Sequence, residues 1–176
     1  MVSWSARDGW AVRGARTAYE GNVVTRKTVR IAMNGVTGRV GRRQHLVRSV
    51  LALREQGGPD LGEGTVLWPE PVLVGRREPA LRALAERHGL DHVSTDLDAV
   101  LADDSVDVYF DAQVTPAREE ALRKAIAAGK HVYTEKPTTT GLDGALDLAR
   151  RAHAADVKHG VVHDKLFLPG LMVRQL

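Results

Sequence analysis

Lys136, set between Glu135 and Pro137, is the residue of this chain best suited to proton chemistry. A lysine at a strand end, facing a bound redox ring, can hydrogen-bond a substrate hydroxyl and assist its proton transfer. Alone in a turn it is an ordinary exposed cation. Gly35, Gly38 and Gly41 form a second group, spaced three apart in Gly35-Val36-Thr37-Gly38-Arg39-Val40-Gly41. Glycine there lets the chain turn tightly, approach a ligand closely and pack a new helix against the preceding strand. The amide groups opening that helix, helped by its dipole, suit a diphosphate. The spacing is G-x-x-G-x-x-G rather than G-x-G-x-x-G. By itself it fits a plain strand-turn-helix corner as well as a dinucleotide site.

Two more groups complete the set. Arg76 and Arg77 follow Val72-Leu-Val-Gly75, at the place where a dinucleotide site usually carries Asp or Glu for the ribose 2′-hydroxyl. A pair of guanidinium groups suits a 2′-phosphate instead, so NADP is preferred over NAD, with solvated arginines as the plain alternative. His163 is a candidate proton acceptor by its ordinary pKa, although a strand-end histidine is more often structural. Asp164 and Lys165 beside it are candidates for substrate contact. The remaining histidines show no metal-ligand spacing and there are no cysteines, so no metal site is expected.

These residues need elements to hold them. Val29, Ile31 and Met33 alternate as a buried strand that Asn34-Gly35 ends. The period then predicts a helix from Gly38 to about Arg54, with Val40, Val47, Val50, Leu51 and Leu53 inward, and a long loop from Gln56 to Pro71. Val72–Gly75 reads as a second strand. Pro79 opens a helix with Leu81, Leu84 and Ala85 inward, closed by Gly89. His92–Thr95 is a brief strand, Asp96 caps a short helix through Leu101, and Val106–Phe110 is a fourth strand. Thr115 as N-cap and Pro116 at N1 start the next helix, which places Thr115 on the cofactor rim. His131–Thr134 is a fifth strand, Gly141–Ala155 a helix with Leu142, Ala145, Leu146, Ala149 and Ala152 inward, and His159–His163 a sixth strand. Such alternation predicts an α/β fold, a doubly wound parallel sheet in three layers, α/β/α, of the Rossmann type. The candidate residues then share the rim beyond the carboxyl ends of the strands.

Composition narrows the function classes. A chain of 176 residues supports one domain with a proper core. Its 25 basic and 22 acidic residues balance too evenly to argue for nucleic acid. No apolar run has membrane-spanning length, no secretory leader is visible, and a cytoplasmic location is the default expectation. Residues 1–28 show no helical or strand period and read as a disordered arm, or as upstream sequence from a wrongly chosen start.

The glycine turn, the Thr115-Pro116 helix start, the stretch Ala128-Gly129-Lys130-His131-Val132 and Glu135-Lys136-Pro137 together resemble the glucose–fructose oxidoreductase, inositol dehydrogenase and MocA family, from about Val29 to Leu176. The glycine spacing with Arg39 is also similar to that of dihydrodipicolinate reductases, but Glu135-Lys136-Pro137 points elsewhere. The resemblance implies an NAD(P)-dependent oxidoreductase moving a hydride between nicotinamide and a carbinol carbon of a sugar, cyclitol or related polyhydroxylated small molecule. It implies that Lys136 binds and polarises the reacting hydroxyl, that Glu135 helps position it by the cofactor, and that Pro137 shapes the turn. It divides the chain into the arm 1–28, a Rossmann domain 29–165 and, over 166–176, the start of a connection. Family members continue into a second α/β domain with substrate contacts, a catalytic histidine and the oligomer interface. The alternative expectation is accordingly a non-catalytic dinucleotide-binding module that needs a complementing domain or chain.

Overall fold

The computed structural model describes residues 14–19 and 22–163 of the chain, with side chains from residue 24 onward. Eight strands form one sheet: β1 (Gly14–Tyr19), β2 (Asn22–Asn34), β3 (Asp60–Gly62), β4 (Thr65–Val74), β5 (Val93–Ser94), β6 (Val108–Asp111), β7 (His131–Thr134) and β8 (His159–Val161). The parallel part runs β5-β4-β2-β6-β7-β8. Starting at β2, the chain winds outward through β4 to β5, then crosses back over β2 to β6. That reversal is the switch point of a doubly wound Rossmann sheet, where ligands bind at the carboxyl ends.

Alternation along the central strands supplies two cores. Ala32, Val72, Val74 and Tyr109 face one side, toward α3 (Leu97–Ala102), α4 (Thr115–Ala127) and α5 (Leu142–Ala154). Met33, Leu73 and Phe110 face the other, toward a helix of π-type winding (Gly41–Leu51) and α2 (Glu78–His88). Neighbouring residues thus feed opposite layers, as a sheet covered on both faces requires. Asp96 caps α3 by accepting the Ala99 amide at 3.0 Å, and Gly89 closes α2 in the left-handed conformation at φ +60°. No helix among the described residues is long and apolar enough to cross a membrane.

Several expectations need correction. The described part of 1–28 is strand: β1 pairs antiparallel with the first half of β2, Gly14 opposite Lys27 through Tyr19 opposite Asn22. The long loop before Val72 holds β3 and seven of the ten residues of β4. Pro69 and Pro71 argue against a strand in the sequence, yet both lie inside β4. Leu67 sends its amide to Pro59 and Leu73 sends its amide to His92, both away from β2. The two prolines share that parity and fall between β3 and β5, where no ladder bond is required of them.

Helix faces shift as well. Leu46, Val50 and Leu51 form the buried stripe of the π-helix, whereas Leu53, at the second residue of α1 (Ala52–Glu55), is exposed. An i→i+5 helix rotates each side chain less far than the α-period assumes. Arg54 turns back to lie 5.1 Å from the Trp68 ring, which Arg26 also approaches at 4.0 Å. Val114, not Thr115, is the N-cap of α4, with no side-chain cap bond. In α5, Leu148 and Ala152 are buried while Leu142 and Leu146 remain exposed.

His131, at the start of β7, links the fold to pH. Burial and then the Lys158 charge hold its pKa below the usual 6.5, and its Nδ1 lies 3.1 Å from the Lys158 amide, which donates to it. Because the folded chain binds this proton less readily than the unfolded one, the stability His131 contributes is complete above the unfolded pKa and lost as pH falls through the folded one. His131→Asn keeps an acceptor but does not titrate. Urea midpoints between about pH 7 and about pH 5 are expected to fall less steeply in His131→Asn than in the wild type. Equal slopes would discount the linkage.

Candidate functional site

The glycine turn sits at the carboxyl end of β2, on the switch point. Gly35 adopts φ +84°, and a Cβ there would lie 2.6 Å from the Ala112 carbonyl carbon and 2.8 Å from the Gln113 amide nitrogen. Backbone of the loop after β6 occupies that space, so the position needs glycine for contact as well as conformation. The Gly38 amide closes the turn onto the Gly35 carbonyl at 3.0 Å. A Cβ on Gly41 would meet that same carbonyl oxygen at 2.6 Å, so the helix start stacks directly on the turn.

The Arg42 amide donates to the Gly38 carbonyl at 2.9 Å, and the amides of Arg39, Val40 and Gly41 precede it at the helix start. They belong to the opening turn, whose amides have no carbonyl one turn back. No side chain caps this end, and Gly38 and Arg39 are exposed while Thr37 and Val40 are half-buried. Val36 has its side chain wholly in the core, so only its backbone is available. A glycine cradle, uncapped amides and a positive helix end fit a dinucleotide diphosphate.

Asp111, at the end of β6, organises the floor of the rim. Its carboxylate is fully buried and accepts Tyr109 Oη at 2.6 Å, the Gln113 amide at 2.8 Å, Gln113 Nε2 at 2.8 Å and Arg118 Nε at 3.1 Å. Tyr109 in turn accepts Asn34 Nδ2 at 3.1 Å. Burial first, then the Asp111 charge and hydrogen bond, push the Tyr109 phenol far above its usual pKa, which keeps it a donor. Arg118 also donates to the carbonyls of Glu135 at 2.8 Å, Gln113 at 2.6 Å and Pro137. One buried guanidinium therefore ties the β6 loop, α4 and the loop after β7 together.

That last loop carries Glu135-Lys136-Pro137, with a cis Lys136–Pro137 peptide bond. Glu135 is buried; its Oε1 lies 2.6 Å from His45 Nε2 of the π-helix, and its Oε2 accepts the Lys136 amide at 3.1 Å. Lys136 is exposed and lines a cleft of about 430 Å³ with Pro137, Thr138, Thr139, Leu142 and His163. Two of the candidate residues expected to act on protons thus share one cleft.

A second cleft of about 230 Å³ opens between the ends of β4 and β6, lined by Asn34, Gly75, Arg76, Thr95, Gln113, Glu120 and Lys124. Arg76 belongs to it. Arg77 does not line it; it is the N-cap of α2, exposed and without a cap bond. Thr115, half-buried, is the first residue of α4 and lines neither cleft. Asp164 and Lys165, and the expected connection over 166–176, lie outside the described residues. Among the described residues no group of three or more His, Cys, Asp or Glu is arranged to hold a metal ion.

The buried partnerships of Asp111, Arg118 and His45 are not legible in the sequence, although Asp111 falls on the expected rim. Arg118 did leave a signal: it stands on the apolar stripe of Ala121, Leu122 and Ala125, where a charge needs a buried partner. His45 left a weaker one, a polar residue next to buried Leu46.

Residues 29–163 match the family profile described as an oxidoreductase family with the NAD-binding Rossmann fold. The D-xylose dehydrogenase of Paenarthrobacter nicotinovorans is 55% identical over 144 residues, 82% of this chain and 37% of the relative. An NAD-binding oxidoreductase from Klebsiella pneumoniae superposes with TM-score 0.67 at 26% identity, covering 83% of this chain and 37% of that one. Biliverdin reductase from Synechocystis, solved with biliverdin and NADP+, gives TM-score 0.63 at 20% identity over 84% and 42% of the two chains. The chain spans well under half the length of these relatives.

Proposed function

The chain belongs to the oxidoreductase family with the NAD-binding Rossmann fold, and from that premise we propose that it is the cofactor-binding part of an NAD(P)-dependent dehydrogenase acting on a sugar hydroxyl. The observation that carries this reading is the sharing of one cleft by Lys136 and His163, on the rim that the glycine turn opens. The sugar class is suggested by the D-xylose dehydrogenase relative, whose substrate makes an aldopentose the first compound to try.

In this reading the turn from Val36 to Gly41 binds the diphosphate, through the uncapped amides of Arg39, Val40 and Gly41 in particular, and Glu135 and Thr115 border the cofactor. Nicotinamide, when bound, supplies the hydride chemistry. Lys136 Nζ hydrogen-bonds the reacting oxygen and holds it for transfer, and His163 takes or returns its proton from the same cleft. Asp164 and Lys165 follow His163 directly and are proposed to contact substrate. The cytoplasm, with its nicotinamide pools, is the compartment this chemistry calls for.

NADP is proposed over NAD because Arg76 lines the cleft at the end of β4, where the ribose-binding carboxylate would otherwise stand. Since Arg77 lies outside that cleft, Arg76 is expected to carry most of the preference. Fluorescence titrations with NADPH and NADH test site and preference together. Arg76→Ala is expected to weaken NADPH binding about tenfold or more while changing NADH binding little, and Arg77→Ala to do much less. Equal losses for both cofactors would end the NADP assignment, and no binding of either would end the functional reading.

A second reading, a binding module completed by another domain or by a second chain, is favoured by the exposure of apolar Leu142 in the Lys136 cleft and of Val114 at the α4 cap. Turnover of an aldopentose by this chain alone would set it aside.

A further inference from the structure

Glu135 carries a carboxylate that touches both halves of the candidate site. Oε1 takes the His45 Nε2–H at 2.6 Å, and Oε2 takes the Lys136 amide at 3.1 Å. A carboxylate accepts only, so in both contacts it is the fixed partner of a donor. His45 stands on the π-helix, four residues past Gly41, with its ring 4.5 Å from that of Phe110. The two side chains of the pair are 14% and 11% exposed, so solvent screens their contact little. Arg118 already holds the carbonyls on either side of Lys136, those of Glu135 and Pro137. The amide of Lys136 itself is left to the Glu135 carboxylate.

We propose that His45 is a positioning residue: through the Glu135 carboxylate it sets the Lys136 main chain relative to the diphosphate-binding helix. The inference rests on the reading of Lys136 as the hydroxyl-binding lysine. Without the imidazole, Oε1 loses its buried donor and the carboxylate turns to seek another, releasing the Lys136 amide. Arg118 keeps the loop in place, so the disturbance falls on the direction of the lysine and not on the fold. A glutamine at position 45 presents an amide nitrogen that donates along the same line, whereas alanine presents nothing.

The test follows Lys136 itself. The purified chain and its His45→Ala, His45→Gln and Glu135→Gln variants are acetylated with and without saturating NADPH, and the rate at Lys136 is read by peptide mass spectrometry. NADPH is expected to slow Lys136 acetylation about fivefold or more in the wild type and in His45→Gln, and less than about twofold in His45→Ala, the difference one buried charge-assisted hydrogen bond makes. NADPH affinity is expected to stay within about threefold in His45→Ala and His45→Gln, because neither change touches the glycine cradle. Should His45→Ala fail to fold by circular dichroism, Glu135→Gln replaces it. Its amide oxygen can serve only one of the two donors through the same pair of positions, and its protection should likewise be lost. Equal protection in wild type and His45→Ala, or no rescue by His45→Gln, overturns the positioning role alone. Absence of protection in the wild type despite NADPH binding overturns the reading of Lys136, and the inference with it.

Discussion

Asp111→Ala is expected to lower the stability of the chain by about 3–5 kcal/mol, the usual loss when one member of a buried ion pair is removed. The carboxylate is completely buried and serves Tyr109, Gln113 and Arg118 at once. Its removal strands the Arg118 guanidinium, whose side chain is only 3% exposed, with no negative charge within reach in that network. Much of the loss is the stranded charge and not the net value of the pair. A double variant, Asp111→Leu with Arg118→Met, should therefore recover part of it. Urea unfolding of the three proteins measures both quantities. A single-variant loss below about 1 kcal/mol would mean that the network is looser than its geometry.

Gly35→Ala is expected to abolish cofactor binding and to destabilise the fold. Two effects add at this position, the left-handed φ of +84° and a Cβ 2.6 Å from a backbone carbon of Ala112. The first alone costs about 1–2 kcal/mol. Gly57 offers an internal control, since it has φ +89° and nothing within 4 Å of an added Cβ. Gly57→Ala therefore reports conformation without collision, and the excess loss in Gly35→Ala reports the collision. The Ala112–Gln113 backbone must move away from β2 to make room, which displaces the turn from its helix. Cofactor titration and urea unfolding of both variants decide the matter. If Gly35→Ala binds NADPH like the wild type, the glycine turn is not the diphosphate site.

Periodicity made most of the sheet legible, because a strand covered on both faces must feed two cores from neighbouring residues. Phe110 beside Tyr109 and Leu73 between Val72 and Val74 show that rule in the fold. It failed where a local rule was overridden by the neighbours. Pro69 and Pro71 are tolerated because the side of β4 they face has no strand at their level. The stripe of the first helix was misjudged because its winding is wider than the α-period. At the rim, the places of Gly35, Gly41, Arg76 and Lys136 were legible through their types and the strand and helix ends beside them. The bonding of Asp111, Arg118 and His45 was not, because it lies with partners 7, 17 and 90 residues away along the chain. Spacing alone does not reveal such pairs.

Along all ten residues of β4, the strand is matched rung for rung with β2, from Thr25 opposite Thr65 to Asn34 opposite Val74. β2 stops directly before Gly35, and β4 stops directly before Gly75, which carries the chain to Arg76. Cradle and arginine are consequently bolted to the same girder, and their separation is set like marks on a ruler. In the reading proposed above, selectivity between the two nicotinamide cofactors is then a question of how far one side chain reaches, with no hinge between them to adjust.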